Sequence, residues 1–316
     1  MDLSIVISAY NEAESLPELF QRVSEVLSAE VTDYEIIVID DGSTDGTWKI
    51  LEESSAKYPI KAISFRRNYG KSAALFCGFE MAQGDLVATM DADLQDSPEE
   101  LPEMIKMMRE GGYDIVSGWK KKRYDSKLTK NIPSKIYNAT ARRVTGIKLH
   151  DMNCGLKIYR NEVIKSIEVY GDMHRYIPYL AKGAGFSNIT EKVVRHAPRK
   201  YGKSKFGASR FVNGFLDLLT LWFLSKFGKK PMHFFGLAGT IMFIIGFFTA
   251  IYLVIDKLYA QAHGLNFRAV TDQPLFYISL VAAIVGIQLF LSGFIAEIVS
   301  RSGPERNSYK IKNKIE

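Results

Sequence analysis

A chain of 316 residues and 35.7 kDa is long enough for two domains, or for one large domain with an appendage. Its composition, 47% hydrophobic and 24% charged, excludes a collagen-like, low-complexity or wholly disordered protein. Two cysteines, Cys77 and Cys154, are too few for a disulfide framework, and the net charge of +6 favours anionic partners.

The first 120 residues alternate apolar, β-rich runs with helical stretches. The runs predict strands over residues 3–9, 34–39, 60–65, 85–90 and 114–117, and the stretches between them predict helices over 14–27, 45–56, 70–82 and 98–110. Such alternation indicates an α/β domain with a mostly parallel sheet and helices on both faces. Ligands of such sheets bind beyond the carboxyl ends of the strands.

Two pairs of carboxylates fall at that edge. Asp40 and Asp41 end the second predicted strand, and Asp91 and Asp93 follow the fourth. Carboxylates two residues apart offer hard oxygen ligands to Mg²⁺ or Mn²⁺, although they also suit an acidic cap on the helix that begins at Pro98. The first pair is placed to accept hydrogen bonds from a nucleotide base or ribose, and turn and helix-cap chemistry also fits that stretch.

Two basic segments follow the strands. Residues 119–148 are rich in lysine and arginine against a single acid, Asp125, and fit a phosphate, a lipid headgroup or a solvated face. Residues 195–205 form a second basic cluster, which suits either a lipid phosphate or a general juxtamembrane anchor. Nucleic acid is disfavoured because aromatic and basic residues do not alternate. Asp151 is either a general base or a turn residue.

The last third of the chain contains two long apolar stretches. Residues 232–255 and 274–296 carry no Asp, Glu, Lys or Arg. Each exceeds the roughly 20 residues that cross a hydrocarbon core of about 30 Å. Basic residues are concentrated before the first stretch and after the second, whereas the loop between them has Lys257 and Arg268. The positive-inside rule therefore predicts cytoplasmic termini and a short external loop.

The sequence predicts a protein that is anchored in the inner (plasma) membrane and has four parts. They are a cytoplasmic domain over residues 1–206, an amphipathic juxtamembrane helix over 207–230, two transmembrane helices within 231–300 (about 232–256 and 274–299), and a basic cytoplasmic tail over 301–316.

The chain resembles the family 2 glycosyltransferases of GT-A fold, a Rossmann-like architecture. The resemblance is carried by SIVISAYNE at 4–12, IDDGSTDGT at 39–47 and DADLQDSP at 91–98, the last of which is similar to the dolichol-phosphate mannose synthase branch. DMNCGLK at 151–157, HRYIP at 174–178 and RKYGKSKFG at 199–207 resemble bacterial members of that branch, which transfer a sugar to undecaprenyl phosphate and carry two C-terminal spans.

The resemblance implies roles for particular residues. Asp40 and Asp41 would hold the uridine of a UDP-sugar, with Asp91 also contacting the nucleotide. Asp91, Asp93 and Gln95 would bind Mg²⁺ or Mn²⁺, and Asp151 would be the catalytic base. The lipid phosphate would be bound by Arg123, Lys130, Ser134, Arg175, Arg199 and Lys205.

The predicted reaction is an inverting transfer of a hexose, with glucose expected, from a UDP-sugar to undecaprenyl or another polyisoprenyl phosphate. The product would be a lipid-linked donor for cell-envelope glycosylation. The resemblance also implies a homo-oligomer (a tetramer in relatives), a flippase and a downstream glycosyltransferase as partners. The alternatives are a GDP-mannose, aminoarabinose or N-acetylhexosamine donor, or a non-catalytic membrane sensor of sugar nucleotides. A processive polysaccharide synthase is disfavoured because the sequence lacks a Gln-x-x-Arg-Trp signature and further spans.

Overall fold

The computed structural model divides into two compact units, Met1–Leu219 and Thr220–Glu316. The residues it describes are 1–28, 33–121, 139–143, 145–169, 171, 173–198, 200–201, 223, 226–227, 230–266 and 268–302. The predicted juxtamembrane helix over 207–230 and basic tail over 301–316 lie almost entirely outside the described residues.

The first unit is built on one seven-stranded sheet. Its strands are β1 Leu3–Ala9, β2 Tyr34–Asp40, β3 Ile60–Ser64, β4 Leu86–Asp91, β5 Ile115–Trp119, β6 Lys157–Arg160 and β7 Ile189–Val193. Their order across the sheet is β3-β2-β1-β4-β6-β5-β7. All pair in parallel except β6, which is antiparallel to β4 and β5. The predicted mostly parallel sheet is confirmed.

The central strands are buried on both faces, which explains their continuous runs of β-branched and aliphatic residues. All of β1 except Ser8, and all of β2 except Tyr34, is buried. Four helices pack on the sheet, each beginning one to three residues after its predicted start: α1 Leu16–Leu27, α2 Thr47–Ser55, α3 Lys71–Met81 and α4 Leu101–Gly111. The first of them buries one apolar face at helical spacing, formed by Leu16, Leu19, Phe20, Val23 and Leu27.

The strands β6 and β7 are not among the predicted ones. Because β6 runs antiparallel, its first residue, Lys157, lies in register with Thr89 near the carboxyl end of β4. The segment that precedes β6 is thereby brought to the edge of the sheet at which the predicted ligand site lies. Two short helices follow, α5 Asn161–Ile164 and α6 Ile177–Gly183.

The second unit contains two long helices, α7 Met232–Ala262 and α8 Pro274–Ser302, and both are long and apolar enough to cross a membrane. They pack through glycines: a Cβ on Gly239 would lie 2.5 Å from the Gly286 carbonyl oxygen, and one on Gly246 would lie 2.5 Å from that of Ser279. Small residues allow this close approach between membrane helices. The helices continue past the predicted ends at 256 and 299.

Candidate active site

The ends of β2 and β4 bring the two acid pairs to one edge of the sheet. β1 lies between these strands, and its Ala9 and Ser8 are in register with Asp40 and Asp91 respectively. All three strands are parallel, so the carboxylates lie at their carboxyl ends, where ligands of such sheets bind.

Asp40 ends β2 and is buried, with 1% of its surface exposed. Its carboxylate accepts hydrogen bonds from the backbone N–H of Ser43 at 3.0 Å and from the Ser64 hydroxyl at 2.7 Å. Asp45, two residues before Thr47, accepts from the N–H of Thr47 at 2.9 Å, while the N-cap of the next helix is Gly46. The predicted turn chemistry is therefore present, and the Asp40 carboxylate keeps further lone pairs that a nucleotide could use.

Asp41 links the loop after β3 to the end of β2 through hydrogen bonds. Its two oxygens accept from the backbone N–H groups of Tyr69 and Gly70 at 2.7 and 2.9 Å. Burial is the main cause of the raised pKa of Asp41, and these two hydrogen bonds only partly offset it. Gly42 has a φ of +74°, and a Cβ there would lie 2.4 Å from the carbonyl carbon of Arg67. Glycine therefore permits the close approach of these two backbone segments.

Asp91 ends β4 and forms an ion pair with Lys71, the first residue of α3. Burial raises the pKa of Asp91, but the ammonium groups of Lys71 and Lys120 outweigh it and hold the pKa well below its usual range. Gly155 lies against the same carboxylate, and a Cβ on Gly155 would lie 2.5 Å from Oδ2. Asp91 is thus an anionic carboxylate held between a lysine and a glycine backbone.

A strained turn carries Asp93. Its Oδ1 accepts from the N–H of Gln95 at 3.1 Å, and Leu94 between them has a φ of +60° in the left-handed region. The burial of Leu94 in the core holds this turn. Asn11, just beyond β1, also has a positive φ, +53°, and its N–H donates to the hydroxyl of Ser43 at 2.8 Å. Such strain at the ends of adjacent strands is typical of functional sites.

A buried ion pair supports the loop after this turn. The Nζ of Lys120 lies 2.6 Å from Asp96, and the side chains are 11% and 0% exposed. Burial lowers the pKa of Lys120, but the charge and hydrogen bond of Asp96, together with the charges of Cys154 and Asp91, outweigh burial and raise the pKa well above its usual value. Lys120 belongs to the basic segment 119–148, yet the structure pairs it with a carboxylate rather than leaving it open to a lipid headgroup.

Asp151 is buried, with 2% of its surface exposed, and its Oδ1 accepts from the N–H of Asn153 at 3.2 Å, as in a turn. Close by, the buried Lys157 donates to the carbonyl oxygen of Cys154. Burial lowers the pKa of Lys157, against the charges of Asp151 and Asp91, and raises the pKa of the Cys154 thiol to about 12. The predicted base therefore lies in an enclosed cluster that also acts electrostatically on Asp91.

The start of α3 is joined to a 3-10 helix, Met173–Tyr176. Nδ1 of His174 lies 3.0 Å from the Ser72 hydroxyl, which also accepts from the His174 N–H at 3.1 Å. Burial, with the charges of Lys71 and Arg175, holds the pKa of His174 well below its usual value. Arg175, a predicted phosphate ligand, is therefore on a segment bonded to the same helix end as Lys71.

Five of the predicted phosphate ligands lie outside the described residues: Arg123, Lys130, Ser134, Arg199 and Lys205. The structure adds Lys71, Lys157 and His174 to the candidate site. Lys157 and His174 stand in the stretches 151–157 and 174–178 that carry the resemblance, but no role was predicted for either of them, and Lys71 stands in none of the quoted motifs.

The chemistry of Asp91 and Asp93 fits a divalent cation. Both are carboxylates at the ligand-binding edge, and hard oxygens suit Mg²⁺ and Mn²⁺. Within the described part of the chain, no cluster of three or more His, Cys, Asp or Glu residues is placed to hold a metal. A cation that also binds substrate phosphates needs only one or two protein carboxylates. These acids therefore fit a cation that is shared with a nucleotide diphosphate.

The α/β sheet with acidic residues at the ends of β2 and β4 defines a GT-A type glycosyltransferase. The model of the family described as glycosyl transferase family 2 matches residues 4–168, and the chain belongs to this family.

The relatives of the chain include bacterial enzymes that act on polyprenyl phosphates. The chain is 34% identical over 305 residues to dodecaprenyl-phosphate galacturonate synthase of Rhizobium johnstonii, which covers 96% of the chain and 88% of the relative. It is also 34% identical over 301 residues to undecaprenyl-phosphate 4-deoxy-4-formamido-L-arabinose transferase of Aeromonas hydrophila, with 95% and 88% covered. The predicted resemblance to bacterial polyprenyl-phosphate glycosyltransferases, and the prediction of an enzyme of this class, are confirmed.

Solved structures share the fold. Glucosyl-3-phosphoglycerate synthase from Mycobacterium tuberculosis in complex with UDP matches with a TM-score of 0.53 and 24% identity, over 70% of this chain and 80% of that one. Its complex with Mn²⁺, UDP-glucose and phosphoglyceric acid matches with a TM-score of 0.52 and 20% identity, over 71% of this chain and 79% of the chain in that structure. The predicted GT-A fold is thereby confirmed.

Proposed function

We propose that the chain transfers a sugar from a UDP-sugar to a polyprenyl phosphate such as undecaprenyl phosphate. The observation that carries the proposal is the edge of the sheet at which both β2, with Asp40 and Asp41, and β4, with Asp91 and Asp93, end on either side of β1. It is supported by relatives 34% identical over nearly the whole chain, whose names specify a polyprenyl phosphate. Under this proposal both apolar helices would anchor the chain in the membrane that contains the lipid acceptor, which removes much of the entropic cost of bringing the two substrates together.

The donor would be bound at the carboxyl ends of β2 and β4. Asp40 and Asp41 would accept hydrogen bonds from the uridine, and Asp91, Asp93 and Gln95 would hold the divalent cation against the diphosphate. When bound, the cation supplies positive charge that stabilises the departing diphosphate. Solved proteins of the same fold hold Mn²⁺ together with UDP-glucose, which is consistent with this arrangement.

In the transfer itself, an acceptor phosphate oxygen attacks the anomeric carbon from the face opposite the UDP. The bond from that carbon to the diphosphate oxygen breaks, and the configuration inverts. The second pKa of a phosphate monoester is about 6, so the nucleophile is largely ionised at neutral pH. It needs positive charge more than a base, for which the candidates are Arg175, Arg123, Lys130, Ser134, Arg199 and Lys205.

Asp151 suits a positioning role or removal of the residual acceptor proton. It is buried, at 2% exposed, and already accepts a hydrogen bond within its own turn. Its charge also acts on Lys157, which in turn acts on Asp91. A general base for an ionised phosphate is not required by this chemistry.

The sugar is proposed from the relatives rather than from the site. Their names specify galacturonate and 4-deoxy-4-formamido-L-arabinose, and neither specifies glucose. We therefore favour a uronic acid or a formamido sugar over the glucose expected from the sequence. The aminoarabinose-type donor is the alternative from the sequence analysis that the relatives support.

The membrane arrangement follows from charge. α7 and α8 would form a transmembrane hairpin, with the catalytic unit and both termini on the cytoplasmic side of the inner membrane. A thiol reagent that does not cross membranes, applied to intact cells, should label a cysteine placed at Gly264 in the connecting loop. Labelling of a cysteine that replaces Lys49 in the catalytic unit, and not of the one at Gly264, would show that the orientation is the opposite of the one proposed.

The test of the reaction uses the full-length protein in detergent, with undecaprenyl phosphate and MgCl₂ or MnCl₂. UDP-galacturonic acid, UDP-4-deoxy-4-formamido-L-arabinose, UDP-glucose and GDP-mannose are supplied separately, and mass spectrometry detects any sugar-lipid. Asp93→Asn should abolish the product, whereas Asp85→Asn, exposed at the opposite edge of the sheet, should not. Absence of product from every donor, with nucleotide binding intact, would favour the sensor alternative.

A further inference from the structure

Asp91 has two possible cationic partners. In the structure its Oδ1 is paired with the Nζ of Lys71, yet it is also one of the two carboxylates at this edge of the sheet whose chemistry fits a divalent cation. An ammonium and a divalent cation on one carboxylate repel each other at distances of a few ångströms. The ion pair and the metal site therefore compete for the same group.

Lys71 differs from the other two lysines whose charge acts on Asp91. Lys120 is bound to Asp96 and is 11% exposed, and the buried Lys157 donates to a carbonyl oxygen. The Lys71 side chain is 32% exposed and contacts Asp91 directly. Lys71 is thus the member of the three that can exchange its partner without leaving a buried charge uncompensated.

The backbone around Lys71 is fixed on both sides. Before it, the N–H groups of Tyr69 and Gly70 are bound by Asp41, and Gly70 has a φ of +93°. After it, Ser72 is hydrogen-bonded to His174 on the 3-10 helix. Exchange can therefore occur through the flexible lysine side chain alone, while the helix end stays in place.

We infer that Lys71 is an internal counter-ion of Asp91 that is exchanged for a divalent cation when the nucleotide-sugar binds, and that the released ammonium then stabilises the donor diphosphate. This inference rests on the proposed function. The physical basis of the exchange is charge balance. The diphosphate of the donor brings negative charge that compensates both the Lys71 ammonium and the divalent cation, whereas a divalent cation that binds without the donor must displace the lysine from Asp91. Lys71 therefore couples metal binding to donor binding.

The test measures Mn²⁺ binding to the full-length protein by electron paramagnetic resonance, with and without UDP. Lys71→Met and Lys71→Gln remove the competing charge, so Mn²⁺ without UDP should bind about three- to tenfold more tightly than to the wild type. The improvement that UDP brings to Mn²⁺ affinity should shrink in both variants. Lys71→Arg, and Lys49→Met on the exposed face of α2 (79% exposed), should bind Mn²⁺ like the wild type.

Thermal unfolding of each variant establishes that it is folded. Unchanged or weaker Mn²⁺ binding in both neutral variants would overturn the exchange. Turnover in Lys71→Met should fall by about tenfold or more, and unchanged turnover would overturn the role toward the diphosphate. Failure of the proposed function is distinguishable: no sugar-lipid would form with the wild type, while the Mn²⁺ titrations would still report the exchange.

Discussion

Replacing Gly155 by alanine should displace the Asp91 carboxylate while leaving the sheet folded. A Cβ at this position would lie 2.5, 2.6 and 2.8 Å from Oδ2, Cγ and Oδ1 of Asp91, whereas ordinary contact begins at 3.4 Å. The side chain must therefore shift by roughly 0.9 Å, which strains its surroundings but no backbone hydrogen bond. A displacement of about 1 Å in a reacting group costs about 10²-fold in rate, or about 2.7 kcal/mol of transition-state stabilisation.

The assay is the initial rate of sugar-lipid formation at saturating donor, with Mn²⁺ affinity and thermal unfolding measured on the same preparations. Gly155→Ala should lower kcat about 100-fold and weaken Mn²⁺ binding, with an unfolding temperature within a few degrees of the wild type. Gly183→Ala is the matched control because its Cβ meets nothing within 4 Å. Wild-type rate and metal affinity in Gly155→Ala would refute the argument that the glycine positions Asp91.

Three further outcomes follow from the contacts of buried carboxylates. Lys120→Met should destabilise the fold by about 3–5 kcal/mol, since it leaves Asp96 buried without its cation, and adding Asp96→Asn should restore much of the loss in thermal unfolding. Asp41→Ala frees two backbone N–H groups before Lys71 and should raise the KM for the UDP-sugar about tenfold, as measured by steady-state kinetics; an unchanged KM would contradict it. Burial acts to raise the pKa of Glu35, but the hydrogen bonds that Glu35 accepts, with the one from Lys61 the strongest, have the larger combined effect. The pKa of Glu35 in the folded protein is therefore lower than its usual value. The stabilisation by Glu35 is then present above about pH 4.3 and lost as the pH falls, so Glu35→Gln should flatten the dependence of Tm on pH between about pH 5 and 3.

The meeting of the two acid pairs at one edge of the sheet could be predicted from the sequence, because it depends only on where the strands end. Apolar runs before Asp40 and Asp91 predict parallel strands, and parallel strands bring their carboxyl ends to one edge. The ion pairs that set the charge of the site could not be predicted this way. Lys71 meets Asp91, and Lys120 meets Asp96, through the packing of segments that are distant in sequence, and neither lysine stands in a motif.

The surroundings of Asp151 depend on a strand that the sequence pattern does not reveal. β6 has four residues, begins with a buried lysine and ends with an arginine, so its hydrophobic signal is weak. Its antiparallel insertion beside β4 places the preceding turn, with Gly155, against Asp91. Short strands defined by tertiary pairing rather than by local preference are the elements that sequence reasoning misses most readily.

The most direct measurement compares two acceptors with one donor. Two parallel reactions contain full-length protein, Mn²⁺ and the UDP-sugar that gives product. One reaction receives undecaprenyl phosphate and the other receives undecaprenol, and mass spectrometry measures the masses of the lipids. The proposed reaction predicts a cation-dependent product, heavier by one sugar residue, from the phosphate and none from the alcohol. Equal product from undecaprenol, or transfer that persists in Asp93→Asn, would contradict attack by a phosphate oxygen at the Asp91–Asp93 site.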